Sequence, residues 1–291
     1  MRTLFLAAIA ALALIPAAMP TSAFAWGNEG HEIVAAIARD QLTPQVKAKV
    51  DALLAADADT LTPPDMLSRA TWADAWRGAG HKETASWHFV DVELDHPDLR
   101  SACFDYPKAA DPASSGPAQD CVVDKITEFQ AELANPATPP AERVLALVYL
   151  LHFVGDLHQP LHAADDQDKG GNCVQVSLGG SRTMNLHHFW DTTVLDSLGS
   201  DPQVVAAKLE PQITPAQKSA WASGDARAWA MESYGVARQV VYSFNPPAGC
   251  GSDRAPIPLP DGYADKALAT AQVQLEKAGV RLAYVLNAAL R

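Results

Sequence analysis

The chain has 291 residues and a formal net charge of −12, with 34 Asp and Glu against 22 Lys and Arg. This acidity excludes a broad basic surface of the kind that holds nucleic acid by its backbone. Any phosphate-bearing substrate must therefore be attracted by a local feature, such as bound metal ions. The length predicts one domain with a sizeable core.

The first 25 residues have the pattern of a secretory signal peptide. Arg2 precedes the apolar stretch LFLAAIAALALIPAAM, and the AFA triplet at 23–25 fits a small-residue cleavage motif. A membrane anchor is the alternative, but Pro16 and Pro20 interrupt the stretch, which is short for a membrane span. We therefore expect a mature domain of residues 26–291, without a membrane anchor, that is secreted or periplasmic.

Helical periodicity dominates the rest of the chain, and the predicted fold class is mainly α. Thr43 and Pro44 supply an N-cap and a first helical residue for the second helix. The segment GGNCVQVSLGGSRTMNL (170–186) alternates in polarity around a Gly-Gly turn, which predicts a small β-hairpin. Helices are predicted at 28–41, 44–56, 64–78, 121–133, 140–157, from about 187, at 214–243 and at 262–290.

Four cysteines, at positions 103, 121, 173 and 250, predict two disulfides in an exported chain. Three pairings are possible, and spacing alone does not choose among them. None of the four lies in a CxxC pair, which argues against a thiolate zinc site.

The segment LLHFVGDLHQPLH (150–162) places polar ligands in an apolar helix. His152 and Asp156 are four residues apart and therefore share one helix face. His162 follows Pro160, where a bend can return it to the same face. A buried, ionised Asp is costly unless it is compensated. A hydrogen-bonded His–Asp pair in the core is the alternative interpretation.

The segment NLHHFWD (185–191) repeats this spacing. His187 and Asp191 are again four apart, whereas helical geometry points His188 elsewhere, so that we expect it to be structural or on the surface. Two more segments offer candidate ligands: SWHFVD (86–91) and TWADAWR (71–77).

In those two segments the candidates are His88, Asp91, Asp74 and Arg77. Taken singly, Asp74 and Arg77 fit a surface ion pair, and His88 fits a core histidine. Taken together, histidines and aspartates recur in apolar segments without cysteine, which suits hydrolytic zinc. The set is too large for one ion, and clustered metals suit phosphoester hydrolysis.

The ordered set WGNEGH, WADAWR, WHFVD, LLHFVGDLHQPLH, GGN and NLHHFWD resembles the three-zinc, single-strand-specific nucleases, the S-one/P-one nuclease family. The resemblance implies a helical fold of the zinc phospholipase C/nuclease type. It also implies an exported endonuclease that cleaves single-stranded DNA and RNA to 5′-phosphates by a metal-activated water, with 3′-nucleotidase activity. Single-stranded nucleic acid and 3′-nucleotides would be its substrates, and we expect a monomer.

The same resemblance implies the ligands of three zinc ions, residue by residue. The first zinc would be held by Asp74, His88, His152 and Asp156. The second would be held by His162, His187 and Asp191, and the third by Trp26, His31 and Asp156. No metal role falls to the remaining histidines, His81, His96, His158 and His188.

Trp26 would bind through its own carbonyl oxygen and its α-amino group. Only cleavage directly before Trp26 can make that amino group free. The amine must lose a proton, which its reference pKa of about 8 makes feasible beside a cation. An internal tryptophan has only an amide nitrogen, and an ordinary core Trp is the alternative reading of this residue.

The resemblance also assigns catalytic and substrate-binding residues. Asp74 would orient or deprotonate the attacking water, and Arg77 would stabilise charge on the phosphoryl group. Phe89 would stack on a base and Asp91 would hydrogen-bond the edge of the base, which favours unpaired strands. Core packing is the alternative for Phe89.

Two points stay open after the resemblance. Cys103 and Cys250 resemble a family disulfide, which leaves Cys121 to pair with Cys173. A phospholipase C-like hydrolase with the same metals, and a non-catalytic metal-binding protein, are the alternative functions. The motifs WHFVD and WADAWR favour the nuclease.

Overall fold

The computed structural model describes residues 26–179, 182–251 and 254–291. The predicted signal peptide and Gly180 of the predicted Gly-Gly turn lie outside these residues. The described part is mainly helical, as expected. Its twelve α-helices are α1 Asn28–Asp40, α2 Pro44–Ala55, α3 Met66–Arg69, α4 Trp72–Gly78, α5 Leu99–Ala102, α6 Val122–Ala134, α7 Pro140–Asp156, α8 Leu186–Asp191, α9 Pro202–Leu209, α10 Pro215–Trp221, α11 Ala226–Val236 and α12 Tyr263–Ala289.

The two longest helices organise the core. The apolar helix α7 packs along α6, and the 27-residue α12 packs along α1 and also contacts α7. A single cluster of buried apolar side chains joins these helices. No helix among the described residues is both long and apolar enough to cross a membrane.

A small three-stranded sheet accompanies the helices. Strand β1 (Gln175–Ser177) pairs antiparallel with β2 (Thr183–Asn185), which confirms the predicted hairpin. A third strand, β3 (Ile257–Pro258), pairs parallel with β1 and was not predicted. Its two residues are too few to produce a periodic signal in the sequence.

Two predicted helices are divided in the structure. The helix predicted at 64–78 is two short helices, because Asp65 caps α3 and Thr71 separates it from α4. The single helix predicted at 214–243 is wrong. It ends at Trp221, Gly224 adopts a φ of +79°, and Asp225 then caps α11. A left-handed glycine followed by a capping aspartate interrupts a helix whatever the periodicity around it.

The expected disulfide pairing is also wrong. Cys103 pairs with Cys121, and Cys173 pairs with Cys250. The chain between α11 and α12 returns to the loop before β1, where the Gly249 amide donates to the Asp166 carbonyl at 2.8 Å. That contact brings Cys250 beside Cys173, whereas Cys103 at the end of α5 faces the start of α6.

Candidate metal centre

Helix α7 delivers two buried polar side chains to the centre of the molecule. His152 and Asp156 lie one turn apart at its C-terminal end, and both have no solvent exposure. Gly155 lies between them because a Cβ there would come within 2.8 Å of His31 Nδ1. The glycine therefore allows the His31 ring of α1 to approach the same end of α7.

The first predicted set of ligands meets around Asp156. Its Oδ2 lies 3.0 Å from His88 Nδ1 and 3.2 Å from His152 Nε2, and those two nitrogens are 3.2 Å apart. Asp74, from the first turn of α4, lies 3.7 Å from His88 Nδ1 and 3.8 Å from His152 Nε2. The structure thus brings all four side chains to one point.

The second predicted set meets where the turn after α7 faces helix α8. His162 Nε2 and His187 Nε2 are 3.2 Å apart, and His187 Nε2 lies 3.3 Å from Asp191 Oδ2. The other Asp191 oxygen accepts a hydrogen bond of 2.6 Å from Gln159 Nε2. His187 and Asp191, four residues apart, therefore lie on one helix face and meet, as the sequence predicted.

The third predicted set lies beside the first. His31 Nε2 is 3.3 Å from Asp156 Oδ1, and the His31 ring stacks on His152 with centroids 3.8 Å apart. Trp26 is fully buried, and a Cβ on Gly30 would lie 2.7 Å from its Cβ. The amide of Gly27 donates to the Asp191 carbonyl at 2.8 Å, which anchors this segment to α8.

Backbone carbonyls fix the tautomers of three of these histidines. The Nδ1 atoms of His152, His162 and His187 lie 2.7, 2.8 and 2.6 Å from the carbonyl oxygens of Ala70, His88 and Gly170. A carbonyl oxygen can only accept, so that each Nδ1 carries a hydrogen, and in a neutral ring each Nε2 presents a lone pair. This backbone anchoring of the second ring nitrogen is typical of metal-binding histidines.

In the second set the tautomers aim two acceptor nitrogens at each other. Burial lowers the pKa of His162, and burial also lowers the pKa of His187 to about 3. Both rings are therefore neutral. Two lone pairs then face each other across 3.2 Å. Burial also raises the pKa of Asp191 well above its usual range. A divalent cation between these atoms would turn mutual repulsion into coordination, so the residues present fit a metal.

Unpartnered atoms in the other two sets support the same conclusion. Among the described residues, neither His31 ring nitrogen has a hydrogen bond of acceptable geometry, and the same is true of Asp156 Oδ1 and His88 Nε2. Buried polar atoms in native proteins almost always have a partner. His31 Nε2 and Asp156 Oδ1 face each other in the predicted third set, where an ion would give both a partner, whereas His88 faces the first set through Nδ1.

The centre opens into a cavity of about 750 Å³, which Asp74 and Asp191 both line. Arg77 extends from α4 with its Nη2 2.8 Å from Asp74 Oδ1, so that the predicted guanidinium lies at the edge of the first set. The histidines that were given no metal role lie outside the three sets. Of these, His188 is exposed, and His158 bonds to the Val154 carbonyl and Arg281.

The predicted base-binding residues follow His88 directly. Phe89 is half-buried and extended, directly after the short 3-10 helix Lys82–His88. Its carbonyl accepts a hydrogen bond from the Val122 amide. Asp91 is also half-buried. Burial, with added repulsion from Asp165 and Glu93, raises the pKa of Asp91 to about 7. Neither residue lines the 750 Å³ cavity.

A comparison with known proteins gives the family. A sequence profile described as S1/P1 nuclease matches residues 26–291. The chain belongs to the S1/P1 nuclease family. Nuclease PA3 of Penicillium sp and Nuclease P1 of Penicillium citrinum are each 29% identical to it over 281 residues, which cover 90% of this chain and 97% of each relative. Nuclease S1 of Aspergillus oryzae is 31% identical over 201 residues, or 67% of this chain and 65% of that relative.

Membership of the S1/P1 nuclease family makes this chain a nuclease, a hydrolase that acts on phosphodiester bonds. The sequence did not reveal the residues that orient the ligands, since backbone carbonyls leave no motif. Gly155 was the one signal in the sequence for the close approach of His31 to α7, because a glycine inside an apolar helix usually has a packing or functional reason.

Proposed function

We propose that this chain is an exported zinc-dependent endonuclease that hydrolyses single-stranded DNA and RNA to 5′-phosphate products, and that it also removes phosphate from 3′-nucleotides. The observation that carries the proposal is the pair of neutral Nε2 atoms of His162 and His187, 3.2 Å apart beside Asp191. A cation bound between these atoms would satisfy all of them, and the arrangement belongs to a chain of the S1/P1 nuclease family.

The proposed ligands form three sets that share Asp156. Its two oxygens point to different histidines, Oδ1 to His31 and Oδ2 to His88 and His152. One carboxylate can therefore serve two ions, which compensates its burial. The three sets are Asp74, His88, His152 and Asp156; His162, His187 and Asp191; and Trp26, His31 and Asp156.

Zinc in these sets would supply Lewis acidity and lower the pKa of a bound water. Asp74 lies at the open side of the centre, where its carboxylate can orient an attacking water and accept its proton. Arg77 donates to the phosphoryl oxygens as negative charge develops. Phe89 and Asp91 hold the base of the nucleoside on the 3′-oxygen side, which must be unpaired to be stacked.

Export follows from the predicted signal peptide and suits the two disulfides of the structure. The acidic surface also suits a monomer that meets its substrate at the metal centre, because like charge disfavours both self-association and backbone tracking. The sequence motifs and the geometry of the site both favour nucleic acid as the substrate class.

The central experiment assays the purified mature protein on single-stranded DNA, RNA and a 3′-mononucleotide, with and without a zinc chelator. We expect activity on all three substrates, its loss with chelator, and its return with zinc. His162→Ala should lose bound zinc and activity, whereas His96→Ala, an exposed histidine outside the three sets, should keep both. Activity that survives complete zinc removal would refute the proposal, and hydrolysis of phosphatidylcholine in its place would favour the phospholipase alternative.

A second experiment tests the role of Trp26. A chain that keeps one extra alanine before Trp26 has an amide nitrogen where the mature chain has an amine. We expect it to fold, to bind about one zinc fewer per chain, and to lose most of its activity. An unchanged zinc content, measured by atomic emission on the folded protein, would reject the terminal chelate while leaving the rest of the centre in place.

A further inference from the structure

The 750 Å³ cavity beside the metal centre has walls that none of the proposed catalytic steps uses. Asp74 and Asp191 connect it to the centre. The other lining residues come from the N-terminal end of α1, from the loop before α3, from the start of α4, and from the segment that includes α8 and the turn after it. Its size falls within the range of small-molecule sites in proteins.

The mouth of the cavity carries an exposed apolar side chain. Leu61, in the loop before α3, keeps 41% of its surface exposed and lines the cavity. His188 lines it as well, and its ring is held by a contact of 3.1 Å between Nδ1 and Thr192 Oγ1. An exposed leucine and an oriented planar ring in the walls of one cavity suit the face of a nucleobase.

The charge of the lining disfavours a phosphate chain as the occupant. Among the described residues that form the walls there is no Lys or Arg, and Glu29 and Asp196 are acidic residues outside the proposed ligand sets. An uncharged group with apolar faces is favoured over a second phosphate, because like charges in a partly enclosed cleft repel strongly.

A phosphodiester at the metal centre carries two nucleosides. The proposed function gives Phe89 and Asp91 to the nucleoside on the 3′-oxygen side, and neither residue lines the cavity. We infer that the cavity bounded by Leu61 and His188 binds the nucleoside attached through its 5′-oxygen. This inference rests on the proposed function and adds to it a second nucleoside subsite.

The subsite makes the two proposed substrates differ in a measurable way. A dinucleoside monophosphate fills both subsites, whereas a 3′-mononucleotide has only the nucleoside on the 3′-oxygen side and leaves the cavity empty. The ratio of the KM for the dinucleotide to the KM for the 3′-mononucleotide therefore reports the cavity alone, and general damage to the metal centre cancels in it.

The test compares this ratio in the mature zinc-loaded enzyme and in Leu61→Ser. We expect the ratio to rise about three- to tenfold, because the apolar contact with one base is lost. Val273→Ser is the matched control. Val273 is 39% exposed on α12 and lies outside the cavity, so that the ratio should not change. His188→Ala is a second variant with the same expected direction.

One result would overturn the inference: a ratio that stays constant in both cavity variants, whether neither KM changes or both rise in parallel. Failure of the proposed function has a different signature, since the unmodified enzyme would then hydrolyse neither substrate. In that case the inference falls together with the function.

Discussion

Asp156 has no exposure at the C-terminal end of α7, and the rings of His31, His88 and His152 surround its two oxygens. Burial lowers the pKa of His31 to about 4 and also lowers the pKa of His88, so that these two rings bring no positive charge. Attraction by Asp156 and Asp74 outweighs burial at His152 and raises its pKa. A buried carboxylate destabilises the fold by several kcal/mol unless a positive charge compensates it, and a bound metal ion would supply that charge for both Asp156 oxygens.

Asp91 should make stability depend on pH. Its pKa rises from 3.8 to about 7 on folding, mainly because of burial. Between these values the folded state keeps a proton that the unfolded chain releases, so that stability falls as pH rises and the full penalty applies above about pH 7. Asp91→Asn should therefore be more stable than the parent above pH 7 and nearly equal to it below pH 4.

Urea denaturation across this pH range measures the difference. Asp51→Asn, at an exposed position of α2, is the control and should follow the parent at every pH. Parallel curves for the parent and Asp91→Asn would show that the burial of Asp91 does not control its protonation.

Tyr242 should influence the second zinc from a distance. Its hydroxyl donates to Asp168, at 3.0 and 3.1 Å from the two carboxylate oxygens, and Asp168 accepts the Gly171 amide at 2.7 Å. The neighbouring Gly170 carbonyl orients His187. Tyr242→Phe should loosen this loop and weaken the zinc held with His187 by up to about tenfold, the lower end for outer-shell partners.

Competition with a graded series of chelators measures that affinity on the folded protein. Tyr234→Phe is the control, because it also removes a buried phenol, one that donates to the Leu94 carbonyl away from the centre. Equal zinc affinities in the two variants would contradict the orienting role of Tyr242.

At the scale of elements, the helices that carry the ligands were predictable. Periodicity placed α1, α2, α6, α7 and α12 within one or two residues of their observed ends, because each has an apolar face or a clear cap. The break at Gly224 was not predicted, since the apolar pattern continues on both sides of it. The predicted disulfide pairing was wrong because the loops that bring each pair of cysteines together meet only in the folded chain.

The packing of α1 against α12 depends on one glycine. A Cβ on Gly279 would lie 2.4 Å from Ile37 Cγ2 and 3.4 Å from the Val34 carbonyl oxygen. Gly279→Ala should therefore push the two helices apart and lower the free energy of unfolding by about 1–3 kcal/mol, in spite of the better helix propensity of alanine.

Gly235→Ala in α11 is the matched variant, because a Cβ there has no atom within 4 Å. It should raise the free energy of unfolding by about 0.5–1 kcal/mol. Opposite signs in thermal denaturation would confirm the close approach of α1 and α12, and a stabilising Gly279→Ala would disprove it.

At the scale of the molecule, the site was more predictable than the surroundings that hold it. Ligand side chains leave a trace in the sequence, as His187 and Asp191 show by their spacing. The carbonyls of Ala70, His88 and Gly170 leave none, although they set the tautomers that point each Nε2 into the centre. Their positions depend on contacts between segments as far apart as 82 residues, which no local pattern encodes.

The net charge leads to a last prediction, on salt dependence. Removal of the predicted signal peptide takes Arg2 away and changes −12 to −13, and three Zn²⁺ would add six charges to give −7. A protein that neutralises many phosphates loses affinity steeply with salt, with a slope of about −0.7 per phosphate on single strands. In the proposed function the metal centre would engage one phosphate, and the cavity walls carry no Lys or Arg among the described residues. The log–log slope of KM against NaCl should therefore stay near the value for one or two phosphates, and it should not steepen as the oligonucleotide lengthens. The 3′-mononucleotide provides the single-phosphate reference, and a slope that grows with chain length would reveal a backbone-binding surface that the charge distribution argues against.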